Sequence, residues 1–420
     1  MQVLEGRDRV GGRVRSLHDL PGHPEAGGSV IAEGYARVID RARQFGVALE
    51  PNIPRADLAG AMGIHLDGVT LRAADWGNSP RNPFPAGPLR NLPPYAVGSA
   101  ALRAGNPFKA VGDWRASAFH AEDISIAEFL SAKGWTPDQL RLAFGTNPGY
   151  GNSANDLSVL MMWHIAENFR VMAGAGGPTL RGAGGNSRIP EAMARALRNE
   201  VLLGRRVVGI GSDAQGVEVV CADGERFKAR YLLCTLPATA LRFVRFSPGL
   251  PLLQQAAIDN IQYNRTFLVY FAVKRPFWET DGLPASLWTD THAGRLVMSG
   301  DAKDPRLLLA YVNGFTADRL DRMEPAAATA LVQADIERLR PSTRGLLKPL
   351  RQVSWQRDVF AGGTYTCWQP GQIRQGYATA FDAPLGRLVF AGEHTARLAR
   401  GMEGAMESGE RAALQLLELL

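Results

Sequence analysis

Apolar residues recur every three to four positions along three stretches of the chain, and this spacing predicts amphipathic helices. The first stretch, 35–45, is followed by Gly46, a residue type that commonly ends a helix. The second runs through most of 124–172 and predicts a mainly helical region. The third begins near Glu403 and predicts a long helix at the end of the sequence.

Uninterrupted or alternating apolar runs elsewhere predict strands. Turn signals such as Asp223-Gly224 separate several of these runs. Residues 51–112 are rich in proline, glycine and asparagine, which predicts loops and short strands there. The clearest predicted strands lie within 2–4, 207–234, 261–273, 306–313 and 388–390.

The composition is that of an ordinary globular chain. Of its 420 residues, 45% are hydrophobic and 21% are charged, and no apolar run reaches the length of a membrane span. This length exceeds what one hydrophobic core usually serves, so we expect two domains. The formal net charge of +6 is not gathered into a basic block. We therefore expect neither a nucleic-acid partner nor a membrane span.

The cysteines and the first residues of the chain narrow the possible class of protein further. Cys221, Cys234 and Cys367 are scattered without metal-ligand spacing, so neither a disulfide framework nor a metal site is expected. The opening residues do not have the pattern of a signal peptide, and we expect a cytoplasmic protein.

The opening stretch, "MQVLEGRDRVGGRVRS", combines a short strand with a loop rich in glycine and arginine. Glu5 ends the strand, where an acidic side chain of a dinucleotide-binding fold accepts the hydroxyls of a ribose. Gly11 and Gly12 allow the backbone to approach a phosphate, and Arg7 and Arg13 can neutralise its charge. The stretch thus predicts a nucleotide site, with a solvent-exposed turn as the alternative.

Two further stretches carry candidate chemistry. In "FAGEHTARLARGMEGAMESGERAA", a strand leads through a tight turn at Gly392 to a helix start, whose free amides favour an anion or a polarised carbonyl. In "SWQRDVFAGGTYTCWQPG", a Gly-Gly turn places Trp355, Tyr365 and Trp368 around backbone that can lie close to a ligand. The alternatives are a docking helix and a core aromatic cluster.

Taken in order, these stretches resemble the flavin-containing amine oxidases, which include monoamine, polyamine and L-amino acid oxidases. The stretches "EAGGSVI", "GGNSRIPEAMA", "RRVVGI", "LLCTLP" and "KRPFW" extend the resemblance over the whole chain. It implies an α/β and α+β fold in which a Rossmann-like FAD-binding domain is interleaved with a substrate domain of mixed sheet plus helices. The FAD-binding domain is expected at 1–50, 184–248 and 361–420, and the substrate domain at 51–183 and 249–360.

The resemblance also implies roles for individual residues. On the substrate side, Tyr365 matches one wall of an aromatic cage and Trp355 matches a tryptophan beside the flavin. With Gly401 and Arg400, these two form the expected catalytic set. The implied FAD-binding residues are Glu5 at the adenosine ribose, Val207 at the adenine, Arg7, Gly11, Gly12, Arg13, Gly392 and Glu393 around the pyrophosphate, Gly27 and Gly28 near the flavin, and Met402 at the flavin O2 edge.

Three places depart from the family pattern. Thr364 stands where covalent members have a flavin-linking cysteine, so FAD is expected to bind noncovalently. Gly401 replaces the second cage aromatic and follows Arg400, which implies a wider pocket or a substrate carboxylate at Arg400. Leu268 replaces the lysine near flavin N5 that serves oxygen activation, which leaves oxidase and dehydrogenase both open.

The strand, G-x-G-x-x-G turn and helix that open a dinucleotide-binding fold do not precede Glu5 in this sequence. We expect this unit to come from sequence upstream of Met1 or from a separate small chain. The other expected partners are a small-molecule amine or amino acid, O2, and further copies of the chain in an oligomer.

The predicted activity is FAD-dependent oxidation of an amine, in which a C–N bond becomes an imine that hydrolyses to a carbonyl while O2 is reduced to H2O2. The alternatives left open are an L-amino acid oxidase, a flavoprotein desaturase, and a non-catalytic subunit of a flavoprotein complex. His164 lies on an apolar predicted helix, where a satisfied core histidine is the more typical occurrence than a site residue.

Overall fold

The strands are mostly short and follow the apolar runs of the sequence. A computed structural model describes residues 1–52, 62–301 and 304–420. Its strands are β1 (Val3–Leu4), β2 (Arg15–Ser16), β3 (Glu25–Gly27), β4 (Leu49–Pro51), β5 (Gly63–Leu66), β6 (Val69–Leu71), β7 (Leu180–Gly182), β8 (Val201–Leu202), β9 (Val207–Ser212), β10 (Val217–Cys221), β11 (Arg226–Ala229), β12 (Leu232–Cys234), β13 (Arg245–Ser247), β14 (Gln262–Tyr263), β15 (Thr266–Val273), β16 (Leu287–Thr289), β17 (Arg295–Asp301), β18 (Asp304–Asn313), β19 (Leu347–Ser354), β20 (Thr366–Cys367) and β21 (Leu388–Phe390).

The helices range from one turn to five. The α-helices are α1 (Ala36–Gln44), α2 (Pro94–Ala104), α3 (Ile126–Ser131), α4 (Pro137–Leu140), α5 (Val159–Gly174), α6 (Arg188–Arg195), α7 (Ala238–Leu241), α8 (Leu252–Asn260), α9 (Trp278–Asp281), α10 (Gly314–Asp321), α11 (Pro325–Leu339) and α12 (Gly401–Leu419). A π-turn spans Arg141–Gly145, and 3₁₀ turns span Ala73–Asn78, Pro88–Asn91, Val111–Arg115, Ser117–Glu122, Pro341–Thr343, Tyr377–Thr379 and Glu393–Thr395.

The largest sheet has seven strands in the order β19-β15-β18-β17-β16-β5-β6. Its neighbours are antiparallel except for β16 and β5, which run parallel. Strand β15 is apolar along nearly its whole length because both of its faces are buried. Phe267 and Val269 pack towards α10 and α11, whereas Leu268 and Tyr270 pack with Trp355 on the opposite face.

The remaining strands form small sheets. Strands β11-β10-β9-β13 form one sheet of four, and β2–β3, β4–β7 and β14–β20 form antiparallel pairs. Strands β1–β8 and β12–β21 form two separate parallel pairs. No strand within residues 1–52, 62–301 and 304–420 bonds to both of these pairs.

Most predicted elements are confirmed, with shifted boundaries. The helix predicted at 35–45 is α1, and Gly46 after it has φ +71°. The helical region at 124–172 contains α3, α4 and α5. Helix α12 begins at Gly401, slightly before the predicted start. The run at 261–273 is divided into β14 and β15, because its middle residue Asn264 bonds to the loop at Tyr365 instead.

The mixture of parallel pairs, a large mixed sheet and helices confirms the predicted α/β and α+β class. The domain boundaries stay a prediction, and residues 53–61 and 302–303 of the predicted substrate domain lie outside the described residues. Across the described residues, no helix has both the length and the apolar character needed to cross a membrane.

Candidate active site

One large cavity, of about 610 Å³, brings together sequence segments from both ends of the chain. Its walls come from the loop after β1, the loop after β3, the start of α12, and the seven-stranded sheet at Thr266, Leu309 and Tyr311. Arg400, the remaining member of the predicted set, is not among the lining residues, and its Nη2 donates to the Thr366 carbonyl oxygen at 3.0 Å. The predicted site residues that line the cavity are Glu5, Arg7, Gly11, Gly12, Arg13, Gly27, Gly28, Val207, Trp355, Tyr365, Gly392, Glu393, Gly401 and Met402.

Glu5 and Arg7 are held at one end of the cavity by contacts within the loop after β1. Oε1 of Glu5 accepts a hydrogen bond of 2.9 Å from the backbone N–H of Arg7. The Arg7 guanidinium pairs with Asp358 at 2.8 Å and lies over the ring of Phe360 at 5.1 Å. Oε2 of Glu5 has no hydrogen-bond partner in the described part of the chain. This oxygen is free to accept from a ligand such as a ribose.

Arg13 and Glu393 connect the same loop to the strand β20 segment. Nη1 of Arg13 donates to the carbonyl oxygen of Thr364 at 2.6 Å and lies 3.5 Å from Oε2 of Glu393. Glu393 is 8% exposed and also accepts from the backbone N–H and the hydroxyl of Thr366. The Arg13 guanidinium stacks over Tyr263 at 4.8 Å. These contacts fix the orientation of the Arg13 guanidinium, which is thereby pre-positioned for an anionic ligand.

The loop after β3 presents bare backbone to the cavity. A Cβ added at Gly27 would lie 2.3 Å from the Arg13 carbonyl oxygen and 2.7 Å from Cζ2 of Trp355. Gly28 has φ +66°, a conformation that L side chains rarely adopt. Trp355 is 1% exposed, and its indole N–H donates to the Ala26 carbonyl oxygen at 2.7 Å. The Arg13 carbonyl and Trp355 therefore leave no room for a side chain at Gly27, and both glycines belong to the lining of the cavity.

The start of helix α12 faces the same cavity through Gly401 and Met402. The first amides of a helix have no partner within the helix, so this end attracts an anion or a polarised carbonyl. Glu403, in the first turn, is 2% exposed and accepts from the backbone N–H groups of Arg37 and Val38, each at 3.1 Å. It thereby ties α12 to the start of α1.

Tyrosines also contribute to the lining of the cavity. The Tyr365 hydroxyl donates to the Gly149 carbonyl oxygen at 2.6 Å and accepts from Asn264 at 3.1 Å. The rings of Tyr365 and Tyr150 lie 5.2 Å apart. Tyr35 and Tyr311 also line the cavity, which sequence reasoning missed. The spacing of Tyr35 marked only a helix face, and Tyr311 falls within an apolar strand run.

The structure shows where the three residues that depart from the family pattern lie. Thr364 lines the cavity and carries no sulfur, so this position offers no thiolate for a covalent bond to a flavin. Leu268 is 1% exposed and packs with Trp355 in the core. Gly401 has φ +57°, and among the described residues outside its own helix the group nearest to an added Cβ is the Tyr35 hydroxyl, at 3.7 Å. The cavity is therefore open where a cage aromatic would stand.

The prediction that His164 is a core residue is confirmed. His164 is 1% exposed, stacks on Trp114 with ring centroids 4.7 Å apart, and lies 3.0 Å through Nε2 from the Leu398 carbonyl oxygen. Burial, assisted by the Arg400 charge, lowers the pKa of His164 to about 3, so it is neutral and donates this bond. Trp368 is also a core residue, 2% exposed and 6.3 Å from Trp114 between ring centroids.

Comparison with known proteins agrees with this geometry. The family model for flavin containing amine oxidoreductases matches residues 1–417. The human protein amine oxidase [flavin-containing] B is 25% identical, over 100% of this chain and 81% of its own length. The zebrafish (Danio rerio) amine oxidase [flavin-containing] is 26% identical, over 99% of this chain and 80% of its own length.

Solved structures share the fold. Cyclohexylamine oxidase from Brevibacterium oxydans superposes with a TM-score of 0.80 at 21% identity, covering 100% of this chain and 93% of that one. Putrescine oxidase bound to putrescine superposes with a TM-score of 0.76 at 19% identity, covering 99% and 93%. The chain therefore belongs to the flavin containing amine oxidoreductase family and is an FAD-dependent amine oxidoreductase.

Proposed function

We propose that the protein oxidises a C–N bond of a small amine to an imine, which water then hydrolyses to a carbonyl compound and ammonia or a smaller amine. The observation that carries this proposal is the shared cavity, which is lined by the Gly27–Gly28 backbone, the start of α12, Tyr365 and Tyr311. Bound FAD would supply a two-electron acceptor that O2 regenerates with formation of H2O2.

The residues of the chain would bind and orient the two reactants. Glu5 would accept the ribose hydroxyls, and Arg13 would lie beside the pyrophosphate. The first amides of α12, at Gly401 and Met402, would stabilise negative charge that develops at the polarised edge of the ring system. Tyr365 would hold the amine against the opposite face and exclude water from it. These roles stay predictions that the placement of the side chains supports.

Oxygen use is the least constrained part of the proposal. Leu268 lies in the core where related oxidases are expected to have a lysine. Its apolar side chain offers neither a charge nor a hydrogen bond to a water molecule. We propose an oxidase, and rapid reduction by amine with slow reoxidation by O2 would instead identify a dehydrogenase.

The remaining expectations also belong to this proposal. An oligomer, a cytoplasmic location and a strand–turn–helix unit supplied by additional sequence stay predictions. The separation of β1–β8 from β12–β21 supports the last of these, because parallel strands are ordinarily paired on both edges.

The test is anaerobic titration of the FAD-loaded protein with cyclohexylamine, putrescine and phenethylamine. We expect at least one amine to bleach the flavin absorbance, and readmission of air to restore it with one H2O2 per carbonyl product. Tyr365→Ala should raise KM and lower kcat, whereas Tyr231→Ala, at a position remote from this cavity, should leave both unchanged. A protein that binds FAD but is reduced by no amine or amino acid would contradict the proposal. Failure to take up FAD even after a strand–turn–helix segment is added would favour a non-catalytic subunit.

A further inference from the structure

Asn264 lies where the chain passes from β14 to β15, and it contacts two residues of the cavity wall. Its backbone N–H donates to the Tyr365 carbonyl oxygen at 2.8 Å. Its own carbonyl oxygen accepts from the backbone N–H of Thr364 at 2.9 Å and from the Thr364 hydroxyl at 3.2 Å. Thr364 and Tyr365 both line the cavity. Asn264 therefore fixes the backbone of two neighbouring wall residues.

The Asn264 side chain, which is almost fully buried, reaches the hydroxyl end of Tyr365. Its amide nitrogen Nδ2 donates to the Tyr365 hydroxyl at 3.1 Å and to Oγ1 of Thr266 at 3.4 Å. Oδ1 of Asn264 has no hydrogen-bond partner in the described part of the chain. A buried polar atom without a partner lowers the free energy of unfolding. Fold stability alone therefore does not account for an asparagine here, whereas its contact with Tyr365 does.

The Tyr365 hydroxyl is also held from its other side. It donates to the Gly149 carbonyl oxygen at 2.6 Å while it accepts from Asn264. Burial raises the pKa of Tyr365 well above its usual range, so the phenol keeps the proton that it donates. Tyr311 also lines the cavity, but its hydroxyl forms no hydrogen bond within residues 1–52, 62–301 and 304–420. Of these two tyrosines, Tyr365 is therefore the one whose ring is fixed at both ends.

The same contacts continue into the seven-stranded sheet. Oγ1 of Thr266 donates to Oδ1 of Asn313 at 3.1 Å, and the two residues are paired between β15 and β18. The backbone N–H of Asn313 donates to Oδ1 of Asn147 at 3.3 Å. Asn147 belongs to the loop whose carbonyl accepts from the Tyr365 hydroxyl. The Tyr365 ring is thus connected to the sheet through Asn264, which lowers the entropy that the ring loses when a ligand binds.

We propose that Asn264 is a positioning residue for amine oxidation, because its amide fixes the Tyr365 hydroxyl and thereby the orientation in which the Tyr365 ring meets the substrate. Asn264 is not among the lining residues, so it acts through Tyr365 and not on the substrate itself. An oriented ring holds the reacting C–N bond close to its reactive geometry, and small misplacements lower the rate. The inference rests on the proposed function, because it takes Tyr365 to be the residue that holds the amine.

The first test is a double-mutant cycle on the FAD-loaded enzyme, with an amine that reduces the flavin. Asn264→Ala should lower kcat/KM about fivefold, the usual effect of one hydrogen bond. In the Tyr365→Phe background, where the hydroxyl is already absent, Asn264→Ala should change kcat/KM little. Asn260→Ala, at an exposed asparagine whose amide bonds within its own helix, should have no effect in either background. An equal loss from Asn264→Ala in both backgrounds, or no loss in either, would overturn the inference.

The second test observes Tyr365 without turnover, by fluorine NMR of the FAD-loaded protein labelled with fluorotyrosine. The chain has nine tyrosines, and the resonance absent from Tyr365→Phe identifies Tyr365. Asn264→Ala should shift and broaden this resonance, since the hydroxyl loses one of its two partners, whereas Asn260→Ala should leave it unchanged. Asn264→Ser, whose shorter side chain cannot reach the Tyr365 hydroxyl, gives the same comparison should Asn264→Ala fail to fold.

The two tests separate this inference from the proposed function. An unchanged Tyr365 resonance in Asn264→Ala and Asn264→Ser overturns the inference even if no amine is ever oxidised. A changed resonance in a protein that oxidises no amine would count against the proposed function alone.

Discussion

The indole of Trp355 lies against the backbone of Gly27 so closely that the two positions leave no room for one methyl group between them. The indole N–H is at the same time fixed to the carbonyl oxygen of Ala26 at 2.7 Å. Since Trp355 is almost fully buried, it cannot swing away without breaking this bond and its core packing. Gly27 and Trp355 together therefore fix the position of this part of the cavity wall.

We expect Gly27→Ala to impair both the fold and FAD binding. The added methyl group would overpack the wall, which costs about 1–3 kcal/mol in a well-packed interior. Thermal unfolding should give a lower Tm, and a titration with FAD should give a weaker Kd. Gly249→Ala is the control, because its Cβ would meet nothing within 4 Å and Gly249 does not have positive φ. Wild-type Tm and Kd in Gly27→Ala would show that this wall does not face the cofactor.

Glu5→Ala should weaken FAD retention. The substitution removes up to two charge-assisted hydrogen bonds to the ribose, each on the order of 1.5–3 kcal/mol before compensation. The FAD dissociation constant, measured by fluorescence, should rise accordingly. Glu279→Ala, at an exposed helix position, should leave it unchanged. An equal Kd in Glu5→Ala and the wild type would remove Glu5 from the site.

Acid precipitation should release all of the flavin into the supernatant. Thr364 has no thiolate that could form a bond to the flavin, and the three cysteines are all buried. Absorbance of the supernatant and of the redissolved pellet measures the two fractions. Yellow colour that remains in the denatured pellet would be the contrary result.

The sequence predicted the cavity better than it predicted the sheets. The pattern of the opening loop singled out Glu5, and the family resemblance singled out Gly27 and Met402; all three line the cavity. Tyr35 and Tyr311 were missed, because their inward direction depends on how α1 and β18 pack against distant segments. The division of the parallel strands into two pairs depends on long-range pairing, which apolar runs do not encode.

Glu25 should make the stability of the protein depend on pH. Burial raises the pKa of this cavity carboxyl to about 7, although hydrogen bonds from Asn186 and Ser16 and the Arg181 charge oppose the shift. Between the ordinary pKa of 4.5 and about 7, the folded protein retains a proton that the unfolded chain releases. The free energy of unfolding should therefore fall as pH rises through this range.

Denaturant titrations at several pH values from 5 to about 8 would measure this slope. Glu25→Gln should flatten it, since the amide does not titrate, whereas Glu279→Gln should reproduce the wild-type slope. An identical pH dependence in Glu25→Gln and the wild type would assign the slope to other groups.

A strand–turn–helix segment with a G-x-G-x-x-G turn should increase FAD binding when it is fused upstream of Met1 or added as a separate polypeptide. Strand β1 pairs with β8 and β21 pairs with β12, and within the described chain neither has a second partner. A further strand paired with either of them would add backbone hydrogen bonds, and its turn would add amides for the pyrophosphate.

The FAD content and the Tm of the protein, each measured with and without this segment, test the prediction. A segment whose turn glycines are replaced by valine is the control, because valine disfavours the backbone conformation and close approach that the turn needs. Stoichiometric FAD binding and amine turnover by residues 1–420 alone would contradict this prediction.

The Glu403 carboxylate connects the start of α12, on the proposed cofactor side of the cavity, with the segment that carries Tyr35. It belongs to the helix whose start faces the cofactor side, and it also holds the backbone of α1 immediately after Tyr35. A substitution that moves Tyr35 through this contact also disturbs the helix start. We therefore expect substitutions near Tyr35 and substitutions at the start of α12 to influence each other through Glu403.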